Sequence, residues 1–258
     1  MNEKIEQQIE HFDQQALHYI KARNNFRHKI LTREMWKPIF DILSSEISTD
    51  EAVKVLEPMC GTCIGYSLLG ESKLENFQYN GFDYSANMVK AAQSLYSDIN
   101  VWKQDVTTFE SENLYDLIII VGGLHHIPVT LDLVVKNLSS SLKKGGFFVV
   151  SEPVNNNFIL KLIRDLVYSK NNSFDEETER AFTTNELHKC FLNHGLTPYF
   201  ESYPCLLAYI LWGCPEAFPF LNKGSESFVK KYVKFEKLMW RTWLAKYISF
   251  GLFSIYKN

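Results

Sequence analysis

The chain predicts an α/β fold, a parallel doubly wound sheet with helices on both faces. Three observations carry this. From residue 52 onward, short apolar and β-branched runs alternate with amphipathic helical stretches, the signature of βαβ units. Leu117-Ile118-Ile119-Ile120-Val121 is continuously apolar, as a strand covered on both faces must be. Finally, Val53-Lys54-Val55-Leu56-Glu57-Pro58-Met59-Cys60-Gly61-Thr62-Cys63-Ile64-Gly65 reads as a strand, an acidic end, a small-residue turn and the start of a helix. Open α/β folds build nucleotide sites this way: the helix N-terminus presents N–H groups, and small residues admit a ligand to the backbone.

A length of 258 residues fits one domain with embellishments, and an apolar fraction of 46% is ample for a core. The formal charge of −3 gives no electrostatic case for nucleic acid as the main partner. Cys60 and Cys63 form a Cys-x-x-Cys pair. It reads as small residues of a turn, with a redox pair or half a metal site as the alternative; no second pair completes a metal site. Glu3, Lys4, Glu6 and Glu10 leave no apolar stretch for a signal peptide. No window approaches the ~20 apolar residues of a membrane span. A cytoplasmic location is expected.

The first turn is not a phosphate grip, because neither Gly-x-x-x-x-Gly-Lys-Ser/Thr nor Gly-x-Gly-x-x-Gly is present. Glu57 closes the strand instead, where a carboxylate accepts hydrogen bonds from a cationic or hydroxyl-bearing ligand. Glu57-x-Met59-x-Gly61-x-Cys63 resembles the first motif of class I S-adenosylmethionine-dependent methyltransferases. Gly61 stands at the central glycine, and Met59 and Cys63 replace the outer two. The resemblance implies a Rossmann-like seven-stranded sheet, mostly parallel with the last strand antiparallel, and S-adenosyl-L-methionine as cofactor. No metal is implied.

In chain order, residues 3–47 read as two helices. Ile5, Ile9, Phe12, Ala16 and Tyr19 mark one, and Ile30, Met35, Trp36, Ile39 and Ile42 the other. Pro38 is a candidate kink or restart. Phe12-Asp13-x-x-Ala16-x-x-Tyr19 resembles the family's leader segment, which folds over the cofactor and would bring Tyr19 and Arg23 to the site; simple packing of Tyr19 is the competing reading. After the first strand, 52–58, comes a second at 78–84 ending at Asp83, about twenty residues past the turn, where an acidic residue takes ribose hydroxyls. Gly81-Phe82-Asp83-Tyr84-Ser85-x-x-Met88 resembles the second motif, with Tyr84 and Met88 beside the cofactor. A third strand, 99–106, ends at Asp105 and Val106, which by resemblance meet the adenine amino group and a ring nitrogen.

The fourth strand, 115–123, ends at Gly122 and Gly123, and adjacent glycines let a ligand lie against the backbone. The sequence Leu124-His125-His126-Ile127-Pro128 resembles the family's Leu-His-His-x-Pro segment, found in many members acting on small molecules. An imidazole there can take a proton from an acceptor hydroxyl. Adjacent residues are expected to point apart, so one histidine is catalytic and the other structural. A helix at 130–142 and a turn at 143–146 lead to a fifth strand, 147–153, whose Glu152 would orient His125 in preference to His126. The candidate catalytic set is thus His125, His126 and Glu152. The candidate cofactor set is Tyr19, Glu57, Gly61, Asp83, Tyr84, Met88, Asp105, Val106 and Gly122.

Beyond it, 155–168 reads as a helix, 171–179 as a polar flap, and Thr183-x-x-Glu186 as a capping box. Strands six and seven fall at 196–204 and 248–256. The chain reads as a single domain, 1–258. It has a helical cap at 1–48, a core at 52–204, an insertion at 205–246 and the last strand at 247–258. Within the insertion a helix over 225–246 mixes lysines with aromatics. It is read as a lid with aromatics turned in on an apolar substrate, or as a face for a membrane surface or carrier protein. The expected activity is methyl transfer to a small-molecule hydroxyl. Transfer to nitrogen or carbon, cofactor binding without transfer and, less favoured, nicotinamide-dependent oxidation are the alternatives. Oligomeric state is left open.

Overall fold

The computed structural model describes residues 21–112, 114–157, 161–162, 180–216 and 218–258. Tyr19, the first expected helix and the expected flap lie outside them, as do residues 158–160 and 163–168 of the expected helix at 155–168.

Seven strands form one sheet: Val53–Pro58 (β1), Phe77–Asp83 (β2), Asn100–Lys103 (β3), Tyr115–Val121 (β4), Leu142–Pro153 (β5), Thr197–Ser202 (β6) and Gly251–Lys257 (β7). Their order is β3-β2-β1-β4-β5-β7-β6. The first five pair in parallel, and β7 runs antiparallel between β5 and β6. Chain order reverses between β1 and β4, which opens a crevice at their C-terminal ends. Leu117, Ile118, Ile119 and Ile120 of β4 are fully buried, which is why that run carries no polar alternation.

Phe26–Glu46 (α1) is capped by the Asn25 side chain, which accepts from Arg27 N and His28 N. It passes through Pro38 as one helix, so no restart occurs there. Leu31, Met35, Trp36, Ile39, Phe40 and Leu43 form its buried stripe, and Trp36 meets Phe253 of β7 edge-on at 5.0 Å. Ile64–Leu69 (α2), Ala86–Leu95 (α3) and Leu131–Ser140 (α4) follow β1, β2 and β4. Thr184–Asn193 (α5) opens with the expected capping box: Thr183 accepts from Glu186 N, and the Glu186 side chain accepts from Thr183 N. Among the described residues no helix is long and apolar enough to cross a membrane.

Four boundaries differ from expectation. The third strand stops at Lys103, because Asp105 caps a 3-10 turn, Val106–Thr108, instead of extending the ladder. The fifth strand starts at Leu142, because the expected turn at 143–146 is drawn into the sheet by the C-terminus: Gly145 N donates to Asn258 O at 3.0 Å, and Asn258 N to Gly146 O at 3.0 Å. The helix expected over 225–246 is two, Glu226–Glu236 (α6) and Trp243–Ile248 (α7). Each has its own cap, Ser225 and Thr242, so the second helix starts afresh. As a result β7 begins only at Gly251.

The insertion is fastened to α1 by polar contacts. Arg23 Nη2 donates to Glu216 Oε1 at 2.6 Å, Arg27 Nε to Gly224 O at 2.8 Å, and His28 Nδ1 lies 3.1 Å from Trp212 O. Burial, reinforced by Arg23, holds the His28 imidazole down at about 4. The expected lid orientation is met only in part. Trp240 is buried, whereas Phe228 and Phe235 of α6 and Trp243 of α7 face solvent.

Candidate active site

The β1–α2 turn winds through three left-handed residues, Met59 (φ 54°), Gly61 (φ 52°) and Cys63 (φ 62°). Only glycine enters that region freely, so Met59 and Cys63 are held there by their surroundings. Met59 packs across the crevice mouth onto the tip of β4: a Cβ added at Gly123 would lie 3.1 Å from Met59 Sδ. Cys63 is fully buried, beside Cys60 and Tyr79. Its bulk therefore lies away from the ligand face, and Gly61 keeps that face open: a Cβ there would meet nothing within 4 Å. The Cys60–Cys63 contact and burial push the Cys60 thiol well above its usual range, the reverse of what a reactive pair needs.

Glu57 does not present its carboxylate to a ligand. It is buried; Oε1 accepts from Gly65 N at 2.9 Å, and Oε2 from Tyr66 N at 3.1 Å and Tyr79 Oη at 2.5 Å. These backbone groups are the free N–H donors expected at the α2 N-terminus. Cys63 offers no side-chain cap, so the buried acid of β1 caps the helix from below. Burial pushes Glu57 up to about 7, against the hydrogen bonds from Tyr79, Gly65 and Tyr66. A Cβ at Gly65 would fall 2.6 Å from Glu57 Oε2. Gly65→Ala is accordingly expected to cost about 2–4 kcal/mol, the scale of overpacking plus a lost buried acceptor. Urea denaturation measures it, and a cost under about 0.5 kcal/mol would refute this packing.

At the tip of β2, Asp83 Oδ2 accepts from Gly61 N at 2.8 Å and Oδ1 from Ser85 N at 2.9 Å. Asp83 thus joins the first turn to the cap of α3, where Ser85 Oγ accepts from Met88 N. Met88 and Tyr84 are half-buried on the same rim, and Lys103 Nζ stands 5.6 Å from the Tyr84 ring centre. Asp105 Oδ1 accepts from Thr107 N at 2.8 Å and Thr107 Oγ1 at 2.7 Å. Val106, buried, starts the turn that Asp105 caps. Asp83 ends β2, Tyr84 follows it, Asp105 and Val106 lie just past the end of β3, and Met88 is in the first turn of α3.

Across the switch point Gly122 (φ 67°) follows the end of β4, and Gly123 leads into the 3-10 turn Leu124–His126. Glu152 of β5 is buried beneath this turn and acts as its organising anion. Its Oε1 accepts from Gly123 N at 2.9 Å and Leu124 N at 2.8 Å; its Oε2 accepts from His125 N at 3.3 Å. His125 Nδ1 lies 2.9 Å from the same Oε2. A carboxylate only accepts, so Nδ1 carries the proton and Nε2 is the basic nitrogen. The structure therefore brings His125 and Glu152 together. The expectation that the two histidine rings point apart is not met: the turn sets them 3.9 Å apart, tilted by 40°. Burial, with His125 adding to it, holds the His126 imidazole well below its usual range, so His126 is neutral near pH 7. Arg23, expected to face the site, pairs with Glu216 of the insertion.

These buried groups set an acid balance. His28 and His126 have lowered folded-state values, so the unfolded chain takes their protons first and stability falls below about pH 6.5. Glu57 is raised, so the folded chain takes its proton first and stability rises as pH falls below about 7. Going from pH 7 to 5.5 therefore costs stability through the two histidines and returns some of it through Glu57. The wild-type is expected to change little over that window. Glu57→Gln, with no proton to gain, is expected to lose clearly more stability over it than the wild-type. Urea denaturation at both pH values reads the difference, and equal slopes for the two proteins would contradict it.

A family model described as "Methyltransferase domain" matches residues 49–195. No curated protein sequence matches the chain. Among solved structures, an S-adenosylmethionine dependent methyltransferase from Mesorhizobium loti superposes with a TM-score of 0.56 at 12% identity, covering 84% of this chain and 96% of its own. The cyclopropane synthase MmaA2 from Mycobacterium tuberculosis gives 0.57 at 14%, covering 86% and 83%. The magnesium protoporphyrin IX methyltransferase ChlM from Synechocystis, with bound SAH, gives 0.55 at 14%, covering 74% and 89%. The open face at Gly61 and the Asp83 carboxylate on its rim suit an adenosyl ligand. The chain belongs to the methyltransferase-domain family, and it is an enzyme whose cofactor is S-adenosylmethionine.

Proposed function

We propose that this enzyme methylates a hydroxyl of a small, largely apolar metabolite, with His125 as general base and Glu152 as its positioning partner. The observation that supports this is the 2.9 Å His125 Nδ1–Glu152 Oε2 contact at the β4 tip, facing the crevice across from Asp83. In this reading Asp83 holds the ribose hydroxyls, Tyr84 and Met88 flank the adenine, and Asp105 with the Val106 N–H meets its edge. Gly61 and Gly122 let the cofactor lie against the backbone, and Tyr19 closes over it. Glu57 acts through the turn it shapes. The bound cofactor supplies an electrophilic methyl group. The protein's own task is to align the acceptor oxygen and accept its proton at His125 Nε2, while Glu152 stabilises the imidazolium that forms. His126, neutral and packed on His125, fixes the ring's plane. The net charge of −3 favours a metabolite over nucleic acid as acceptor, and we read residues 1–258 as one cytoplasmic domain.

Incubation with methyl-labelled cofactor and a metabolite extract tests the reading. Label on an oxygen, lost in His125→Ala, is the expected result. Label on nitrogen or carbon, or unchanged turnover in His125→Ala, would refute the hydroxyl assignment.

A further inference from the structure

The segment 218–248 gathers exposed apolar side chains that the fold does not need. On α6, Val229, Val233 and Glu236 face the core; Phe228 and Phe235, two helical turns apart, flank that stripe and are exposed, Phe228 with one edge on Trp212. Phe235 is 66% exposed, and Leu238 and Trp243, just beyond, are 77% and 76% exposed. On α7 only Ala245 is buried, and Tyr247 stands 6.2 Å from Trp243. Exposed apolar side chains along the flank of a helix and onto the next one form a surface matched to something other than this chain's core.

Charge identifies the second. The chain carries −3 overall, but 226–246 holds Lys230, Lys231, Lys234, Lys237, Arg241 and Lys246 against Glu226 and the buried Glu236. Lys230 pairs with Glu226, and Lys237 with Glu34; Lys231, Lys234 and Lys246 have no ion pair among the described residues. A groove of about 450 Å³ between α1 and α6 is lined by Arg33, Lys230, Lys234 and Lys237 beside Glu34 and Ile30. Outward Trp, Tyr, Phe and Leu on a segment rich in lysine match the interface of an anionic bilayer. There aromatic rings sit at headgroup depth and lysine stems reach back to phosphates. A second copy of this chain is a poorer match, since a two-fold contact would set these lysines against themselves.

We propose that the outer face of α6 and α7 docks the enzyme on an anionic membrane surface. Vesicle co-sedimentation with the full chain tests it, using phosphatidylcholine vesicles with and without phosphatidylglycerol. Binding is expected only with phosphatidylglycerol, and to weaken with salt. Buried tryptophans contribute little to a shift, so exposed Trp243 is expected to move its emission to shorter wavelength on binding. Trp243→Ser and Leu238→Ser are each expected to weaken binding about tenfold, the scale of one apolar side chain left in water. Lys231→Glu with Lys234→Glu leaves the apolar surface intact, is expected to weaken binding at least as much, and serves if the serine variants do not fold. No binding, equal binding to both vesicle types, or binding unmoved by these variants would overturn the proposal. So would a concentration-dependent dimer, or tighter binding to single-stranded RNA, lost in Trp243→Ser. Calorimetry with S-adenosylhomocysteine should be the same for all these variants, which separates failure here from failure of the active-site reading.

Discussion

Replacing Glu152 by glutamine is expected to lower kcat by about 10²–10⁴-fold while leaving cofactor affinity nearly unchanged. The side chain is fully buried and accepts from three backbone N–H groups and the His125 ring. Glutamine keeps the volume but turns one oxygen into an N–H₂ donor. If that donor faces Gly123 and Leu124, the turn loses its anchor. If it faces His125, the ring must accept at Nδ1, which moves the proton to Nε2 and removes the base. Either outcome disables the histidine, and the loss is of the size seen when a positioned base is taken away. Removing a buried charge that several donors surround should also cost about 2–4 kcal/mol of stability. Labelled-methyl turnover gives kcat, and ring ¹⁵N spectra of wild-type and variant report which nitrogen holds the proton. A variant with kcat within threefold of wild-type and Nδ1 still protonated would remove Glu152 from the mechanism.

The strands were readable because their burial is written in composition. Leu117 to Ile120 had no polar residue to alternate, and they lie covered on both faces. The place of Asp83 at the tip of β2 was readable because it follows from spacing along one βαβ unit. The capping box at Thr183 and Glu186 is local, and local patterns survive folding. What escaped the sequence is tertiary. Whether Glu57 faces a ligand or its own helix depends on how deeply β1 is buried, which its neighbours decide. The close, tilted His125 and His126 rings depend on the backbone at Gly122 and on an anion, Glu152, supplied by another strand. Arg23 finds Glu216 across 193 residues of sequence, which no periodicity encodes. The insertion misled for a related reason. Helical periodicity in 225–246 identified an amphipathic segment, but it gave no sign that Thr242 starts a second helix or that α6 has an apolar side turned to solvent.

Asp83→Ala is expected to weaken binding of S-adenosylhomocysteine roughly a hundredfold to a thousandfold by calorimetry. Two effects act together. The proposed hydrogen bonds to the ribose are charge-assisted, about 1.5–3 kcal/mol each, and one or two of them account for most of the loss at 1.4 kcal/mol per decade. The same carboxylate also fixes Gly61 and Ser85 through their N–H groups; without it the Gly61 turn is freer, and the free protein must reorder before it binds. Asp83→Asn separates these contributions. Asparagine retains one acceptor oxygen and can hold either Gly61 or Ser85, but not both, and it has no charge for the ribose. If ligand contact dominates, Asn should bind nearly as weakly as Ala while its thermal midpoint stays close to wild-type. If organisation of the turn dominates, Asn should recover about half of the affinity loss, with the more favourable binding entropy of a preordered turn. The left-handed strain at Met59 and Cys63 argues for a substantial second contribution: a turn with two non-glycine residues in that region is held in shape from outside, and Asp83 is one of its holders. Affinity within threefold of wild-type in Asp83→Ala would contradict both accounts and remove Asp83 from the cofactor site.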